Sequence, residues 1–512
     1  MAVKSRFLLT LAATAGLSAC AVGPDYRFPE VALPAHFGGP QQEIVSQATT
    51  PQPEFVRWWQ NLRDPELNRL IERAIVYNPD LEIALTRVQA LRTQENIVIS
   101  NALPSVEASG SIAQGTGNDL TKGRASTALR SAMNNTTLAK ETRVGGFDAA
   151  WELDLWGKYR RQLEAVQDDA QALNELRNGV LITVVSDVAR SYADLRGLQL
   201  RLIIARGAVK AASQTADLAQ ARFNRGLTNE LDVTLAKREL AQVQARIPVL
   251  IAAIATAESR LAVLVGTYSA EVAPELKKFH GLPRVPSRLR PGVPAELLRR
   301  RPDIRQAERQ LAGATARIGV ATANLFPTVA LVGAEGLQGG EVTSASAAKS
   351  KPPLTSIWSF GPGGYWPVLD FGRLDAVINT QELAAHEAFV NYKRTILVSV
   401  EEVDNAIKQY RAYQQQLREL QVALEQSKRA VTLATERYER GITDFLNLLD
   451  AQRQEYVIED QAAVAQEAVV VQYIALYKAL GGGWELYDVL PPIKEAHPAV
   501  IATARRLAND WH

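Results

Sequence analysis

The sequence predicts a mixed α and β membrane protein of a bacterial envelope. It is built on an internal two-fold repeat, with very long helices and four β-strands per chain that complete a 12-stranded barrel when three chains pool them. Three observations carry this reading. The chain opens with an export leader, it contains alternating segments about ten residues long, and most of the chain behind the leader is written twice.

The leader MAVKSRFLLTLAATAGLSAC has basic Lys4 and Arg6, an apolar run from Phe7 to Leu17 and small residues before Cys20, the single cysteine. That is a secretory signal peptide over residues 1–19. Leu17-Ser18-Ala19-Cys20 resembles a bacterial lipobox, in which the cysteine is lipidated and becomes the new N-terminus. A lone cysteine in an exported chain has no disulfide partner, which fits lipidation. Ala21 follows it rather than an aspartate, and by similarity to such lipoproteins this implies sorting to the outer membrane.

Composition narrows the classes. A chain of 512 residues has room for about three ordinary domains, and 47% hydrophobic with only 7% aromatic residues favours helices over an all-β body. Removing Lys4 and Arg6 with the leader leaves 55 of the 57 basic residues against 55 acidic ones, a poor match to nucleic acid. After residue 20 no uninterrupted apolar run reaches 18 residues. The nearest, IPVLIAAIATA at 247–257, includes Pro248 and runs into Glu258 and Arg260, so no transmembrane helix is expected. A closed β-barrel is the other structure that satisfies every backbone polar group in lipid.

The repeat is read from four ordered matches. NPDLEIALTRV (78–88) recurs as RPDIRQAERQL (301–311) and ALPSV (102–106) as LFPTV (325–329), both 223 residues on; WELDLWG (151–157) recurs as WPVLDFG (366–372) and ARFNRGLT (221–228) as ERYERGIT (436–443), both 215 on. These matches divide the chain into a leader 1–19, a lipidated N-terminal segment 20–60, a first repeat 61–280, a second repeat 281–484 and a C-terminal tail 485–512.

Within the first repeat the period changes along the chain. From Pro65 to Ile99 it is helical, with Leu67, Leu70, Ile71 and Ala74 on one face, and Pro104 ends it. SVEASGSIA then alternates, Val106, Ala108 and Ile112 against Ser105, Glu107, Ser109 and Ser111. After a loop rich in Gly, Thr, Ser and Asn, FDAAWELD alternates again, with Phe147, Ala149, Trp151 and Leu153 on one side. From Gly157 to Phe223 there is no proline, and a helix of that length runs about 100 Å, too long for a globular domain and suited to a coiled coil or a barrel of helices. A break at Arg225-Gly226 precedes a return helix reaching Gly266. The second repeat has the same plan: a helix near 295–324, strands near 326–337 and 356–370, a long helix 373–439, a break at Gly441 and a return helix to Leu480. Pro362 and Pro367 weaken the last strand.

Two strands per repeat cannot close a barrel within one chain, and open edges in lipid cost several kcal/mol per unpaired amide, so neighbouring copies must supply closure. Three chains under cyclic symmetry are the simplest solution.

The leader with LSAC, VGPDYRFP behind the cysteine, the WELDLWGK and WPVLDFGR pair and the twin RGLT and RGIT breaks together resemble the outer-membrane factors of bacterial efflux systems, the TolC-like ducts, in their OprM-like lipoprotein branch. The resemblance covers roughly residues 20–485. It implies a homotrimer with a short β-barrel in outer-membrane lipid and a long α-helical barrel in the periplasm. It also implies docking to a periplasmic adaptor (membrane fusion) protein and an inner-membrane pump of the resistance-nodulation-division type, with no cofactor beyond the covalent lipid on Cys20. The expected function is a passive duct for small molecules such as drugs, closed at its periplasmic tip; cargo is set by the pump and stays open among drugs, solvents, metal ions and signalling molecules.

Gly226 and Gly441 are expected where long helices turn back, because glycine readily takes the left-handed conformation of a helix C-cap. Two tips in each of three chains give six around the mouth, with Arg225, Gly226, Leu227, Thr228, Arg440, Gly441, Ile442 and Thr443 as the adaptor-contact tips. By position in the family, Asp450 matches a carboxylate that rings the periplasmic constriction and Asn447 falls where a second ring carboxylate is often found. Tyr438 and Asp232 match residues that link neighbouring hairpins in the closed state. Converging Asp450 carboxylates repel one another and favour cations.

Enzymatic readings lack a constellation. The five histidines, at 36, 280, 386, 497 and 512, have no metal-binding spacing. GGG at 481–483 reads as a helix stop, and LRRR at 298–301 as a solvated helix start. The alternatives are a periplasmic coiled-coil lipoprotein scaffold without a pore, against which the alternating segments speak, and a lipid-anchored hydrolase, for which the sequence offers no catalytic constellation.

Overall fold

The computed structural model describes residues 21–32, 34, 53–114, 139–286, 300–343, 349–350 and 354–485. The expected leader, Cys20 with the lipid expected on it, residues 115–138 and the expected tail beyond 485 lie outside those residues. The chain forms two compact units, each drawing on both sequence repeats. A strand-bearing unit takes Met1–Val31, Leu85–Glu175 and Ile304–Thr395, and a hairpin unit takes Ala32–Ala84, Leu176–Asp303 and Ile396–His512.

The strand-bearing unit holds one antiparallel sheet of β1 (Ser105–Gln114), β2 (Ala139–Leu153), β3 (Thr328–Thr343), a two-residue β4 (Lys349–Ser350) and β5 (Thr355–Tyr365). Four strands are long, as expected, and β4 is an unforeseen stub pairing the end of β3. β2 and β3 are also longer than the expected ten residues, at 15 and 16. Their extra residues sit in AKETRV and GLQGGEVT, which carry no apolar alternation; what makes them strand is pairing with each other, visible only in the register.

That register aligns the predicted faces across strands. Val106, Ala149, Gly333 and Phe360 form one cross-strand row and Ala108, Phe147, Glu335 and Trp358 the next, while Glu107, Asp148, Ala334 and Ser359 form a row on the other side. Direct partners share a face, so one side of the sheet carries Val106, Ile112, Phe147, Leu337, Trp358 and Phe360, all exposed. The opposite side carries the polar residues Ser105, Glu107, Ser109, Asp148, Glu152, Gln338 and Ser359 among small and aliphatic ones such as Ala150, Val332 and Ile357; Glu335 departs from the apolar side. At Gly146 a Cβ would strike the Glu335 carbonyl, so only glycine lets the central strands approach. Pro362 is accommodated because β5 pairs only with β3 and is an edge strand.

At the ends of these strands two tryptophans make equivalent bonds. Trp151 Nε1 donates to Ala102 O and Trp366 Nε1 to Leu325 O, each at 3.0 Å. Gly157 and Gly372, at φ 80° and 82°, then turn the chain into α-helices of 67 residues each, Lys158–Asn224 and Arg373–Glu439. The extended segment behind Cys20 is fastened to this unit: Val22 N donates to Trp156 O at 3.1 Å, Arg161 donates to Asp25 at 2.6 Å, Tyr26 donates to Glu308 and Phe28 meets Tyr392 edge-on at 6.4 Å.

In chain order the helices are α1 (Pro53–Val56), α2 (Pro65–Tyr77), α3 (Pro79–Asn101), α4 (Lys158–Asn224), α5 (Glu230–Gln244), α6 (Arg246–Leu264), α7 (Ser269–Leu276), α8 (Pro302–Ala323), α9 (Arg373–Glu439) and α10 (Phe445–Ala479). The single helix expected over 65–99 is broken between α2 and α3. Asn78 accepts from Asp80 N at 2.9 Å and Leu81 N at 3.2 Å and donates to Leu264 O at 2.8 Å, while Pro79 begins the next helix without an N–H to satisfy. The return helix is also broken, at Ala245, because Pro248 has no N–H for the Gln244 carbonyl.

One span, Glu230–Leu264, has an 18-residue window of mean hydropathy 1.7, long and apolar enough to cross a membrane by length and composition. The break at Ala245 divides that span into α5 and α6, and Glu258 and Arg260 interrupt its apolar run. Only 22% of that window is buried within the chain.

The core of the hairpin unit gathers Trp58, Trp59, Leu62, Leu67 and Ile71, all essentially inaccessible, with Trp58 stacked on Tyr477 at 5.7 Å. Gly481–Gly483 end α10, and a Cβ on Gly483 would press on the Trp58 and Trp59 rings. Arg301 corrects the reading of LRRR as solvated: it is buried, donating to Ala479 O at 2.8 Å and paired with Asp303 at 2.6 Å and Glu402 at 2.7 Å. A buried charge must be paired in this way, and no local pattern announces the distant Glu402.

Between α4 and α10 lies a hydrogen-bonded carboxyl pair, Asp194 and Glu467, fitted against Gly197, where a Cβ would collide with the Glu467 carboxylate. Burial first, then the Asp194 charge, pushes Glu467 up to about 7, with Arg201 pulling the other way; burial raises Asp194 against Arg190. The folded state therefore favours the protonated form, and stability falls as pH rises from the ordinary carboxyl value towards 7. Urea titrations should show a loss on the order of 1–2 kcal/mol across that window after allowance for solvent screening. Glu467→Gln should flatten it, and an unchanged pH slope in the variant would refute the assignment.

Candidate functional site at the hairpin tips

The tips are built from chain ends that stop a helix in the same way twice. Leu227 N bonds Arg222 O at 2.9 Å and Gly226 N bonds Phe223 O at 2.8 Å; Ile442 N bonds Arg437 O at 2.9 Å and Gly441 N bonds Tyr438 O at 3.0 Å. These are Schellman caps, which need a left-handed residue, and Gly226 and Gly441 supply it at φ 70° and 72°. Leu227 and Ile442, each 60% exposed, crown the two turns beside exposed Arg225 and Arg440. Thr228 and Thr443 are half-buried. All eight residues read from the sequence as tip residues thus stand on the two turns.

Beneath them the hairpins share a core of Ala216, Ala219, Val233, Ala236, Tyr438, Phe445, Leu448 and Leu449. Arg222 crosses from the first hairpin to the second, donating to Tyr438 O and Glu439 O at 3.0 Å each, with its guanidinium 4.7 Å from the Tyr438 ring centre. Tyr438 is buried, and its hydroxyl is raised above the ordinary phenol value by burial first, then by the nearby Asp232 charge, against the lowering effects of Thr228 and Arg222. Asp232 accepts from Thr228 Oγ1 and stands in the first turn of α5. Lower down, Gln452 Nε2 donates to Thr215 Oγ1 at 2.8 Å and Arg453 Nε to Glu239 at 2.6 Å.

Of the four residues expected at a gate, the structure brings Tyr438 and Asp232 together, inside one chain. Asn447 and Asp450 are not part of that cluster. Both are exposed on α10; Asn447 donates to Thr443 Oγ1 at 2.8 Å, and the Asp450 carboxylate makes no bond to any described residue. Sequence reasoning missed the role of Arg222, although it stood in the matched motif opposite Arg437; only Arg222 turns inward. Among the described residues no group of three His, Cys, Asp or Glu could hold a metal ion.

Paired long hairpins together with an antiparallel sheet whose apolar side is exposed define the class, an envelope channel protein. The sequence profile of the outer membrane efflux protein family matches residues 70–267 and 293–482, more than half of the chain, and the protein belongs to that family. It is an outer-membrane efflux protein, and the family is one of transport channels. It is 30% identical over 468 residues to nodulation protein T of Rhizobium leguminosarum bv. trifolii, covering 91% of this chain and 95% of the relative. The solvent efflux pump outer membrane protein SrpC of Pseudomonas putida is 28% identical, covering 92% and 97%. Among solved structures, the outer-membrane channel OprN has a TM-score of 0.77 at 35% identity, covering 91% of this chain and all of that one. CusC matches with a TM-score of 0.74 at 26% identity, again over 91% and 100%.

A Cβ on Gly226 would meet nothing within 4 Å, so Gly226→Ala carries a conformational cost alone, about 1–2 kcal/mol. Amide exchange at the first tip should accelerate about 5- to 30-fold, with no change in the strand-bearing unit; exchange unaltered at the tip would show that the left-handed cap does not hold it.

Proposed function

We propose that three copies of this chain form a continuous duct through the outer membrane and into the periplasm, closed at the tips until an adaptor docks. The observation that carries the reading is the sheet: β1 pairs only with β2 along its length and β5 only with β3, so both long edges stay open among the described residues while one side is apolar and exposed. Open edges are untenable in lipid. Three such sheets joined edge to edge give a twelve-stranded barrel with the aromatic side towards lipid and the polar side towards the lumen. The exposed apolar face of Glu230–Leu264 supplies the matching contact between the helical parts of neighbouring copies, as in a barrel of helices. The paired bonds of Trp151 and Trp366 and the paired caps at Gly226 and Gly441 support a duplicated ancestor with the two repeats 61–280 and 281–484.

Cys20, lipidated, tethers the segment fastened by Val22, Asp25, Tyr26 and Phe28 to the outer membrane. At the other end, Leu227 and Ile442 with Arg225 and Arg440 present apolar and cationic contacts to a periplasmic adaptor bound to a pump of the resistance-nodulation-division type. Asp450, exposed and unbonded in the single chain, is the gate carboxylate, with Asn447 one turn before it and the Tyr438–Asp232 cluster holding the hairpins in the closed packing. The duct is passive, and its cargo is the small molecules its pump delivers.

Single-channel recording in planar bilayers tests this. The native chain should give rare, small steps and Asp450→Ala larger or more frequent ones. A preparation that runs as a monomer and never conducts would sink the duct in favour of a scaffold without a pore.

A further inference from the structure

The hairpin unit contains a cavity of about 830 Å³ that neither the tips nor the sheet explains. Its walls come from the turn before α2, from α2 itself, from the end of α7 and from the segment after it, and they carry Arg63, Arg69, Arg73, Arg284 and His280. Volume of this size suits a small organic ligand.

The acids of the same cavity are already engaged. Asp64 caps α2, accepting from Glu66 N at 3.0 Å and Leu67 N at 3.1 Å, and its second oxygen accepts from Tyr192 at 2.9 Å. Glu66 pairs with Arg196, which is wholly buried and also donates to Leu276 O at 3.2 Å and Lys278 O at 2.8 Å. Glu275 and Glu271 flank Arg73 at 3.8 and 3.7 Å. Arg63, Arg69 and Arg284 have no acidic partner among the described residues. The frame that holds them is fixed: Arg284 N bonds Leu62 O at 3.2 Å, Arg196 ties down the end of α7, and Arg63 is held at φ 53°, a left-handed conformation that a non-glycine residue adopts only when its surroundings impose it.

We propose that this cavity is a binding site for a small oxyanion carrying two or more negative charges, phosphate or carboxylate, gripped by Arg63, Arg69 and Arg284. Guanidinium forks match both oxyanion geometries. Asp64 and Glu66 are turned to the helix cap, Tyr192 and Arg196, so their charge is partly neutralised there and opposes an anion less.

Isothermal titration of the purified full chain at low salt, with pyrophosphate and separately with citrate, tests it. The expected result is saturable binding of at least one, weakened tenfold or more in Arg69→Gln/Arg284→Gln and unchanged in Arg418→Gln/Arg429→Gln, which removes equal charge elsewhere. Binding of pyrophosphate alone would assign the site to phosphates, and of citrate alone to carboxylates. No saturable binding of either, or equal weakening in both double variants, overturns the proposal. Native elution and circular dichroism of each variant exclude misfolding, since the substituted side chains are exposed.

Discussion

Every backbone N–H and C=O within a bilayer needs a partner, and that requirement governs the rest of this architecture. A single chain offers four long strands whose register is complete internally and, among the described residues, open at both edges. The side chains obey the same demand, with Phe147, Trp358 and Phe360 on the exposed apolar side and serines and acids on the other. Glycines sit where the backbones come closest, at Gly146 opposite Gly336. The hydrophobic effect alone does not select such an arrangement, because in lipid it no longer distinguishes a buried side chain from an exposed one.

Helices of 67 residues pose the opposite problem, since a rod has little core of its own. Stability here comes from packing the hairpins on each other at intervals. The tip core around Tyr438 and Phe445 is one such interval, the cluster of Ile204, Leu250 and Tyr456 another, and the aromatic knot of Trp58, Tyr473 and Tyr477 a third. Polar groups are inserted between these clusters: Arg222 on two carbonyls, Arg301 on Glu402, Asp194 on Glu467. Each is costly to break because a buried partner would be left alone, and each defines one register of one helix against another. Helices that can slide by a turn need such pins.

Tips and cavity differ in what they offer a partner. At the tips the polar backbone is satisfied by the Schellman caps, leaving Leu227 and Ile442 bare beside arginines, a surface suited to a protein. The cavity beside α2 offers guanidiniums in a rigid frame, a surface suited to a small anion. Both arise from left-handed residues at helix ends, glycine in one case and Arg63 in the other.

Local order was written plainly enough in the sequence to be read. The long helices came within a residue of their observed ends because proline-free stretches bounded by Gly157, Gly226, Gly372 and Gly441 leave no other choice, and the alternation in SVEASGSIA and FDAAWELD set both strands and their faces. The tip glycines were legible for the same reason: a left-handed cap leaves a mark in composition. Tertiary structure decided what depends on partners far along the chain. It lengthened β2 and β3 through mutual pairing, broke helices at Asn78 and Ala245, buried Arg301 that looked solvated and turned Arg222 inward while Arg437 stayed out. Periodicity records which way a residue faces on its own element; it holds no record of which distant carbonyl or carboxylate will meet it, and the energy of a buried charge depends on that meeting.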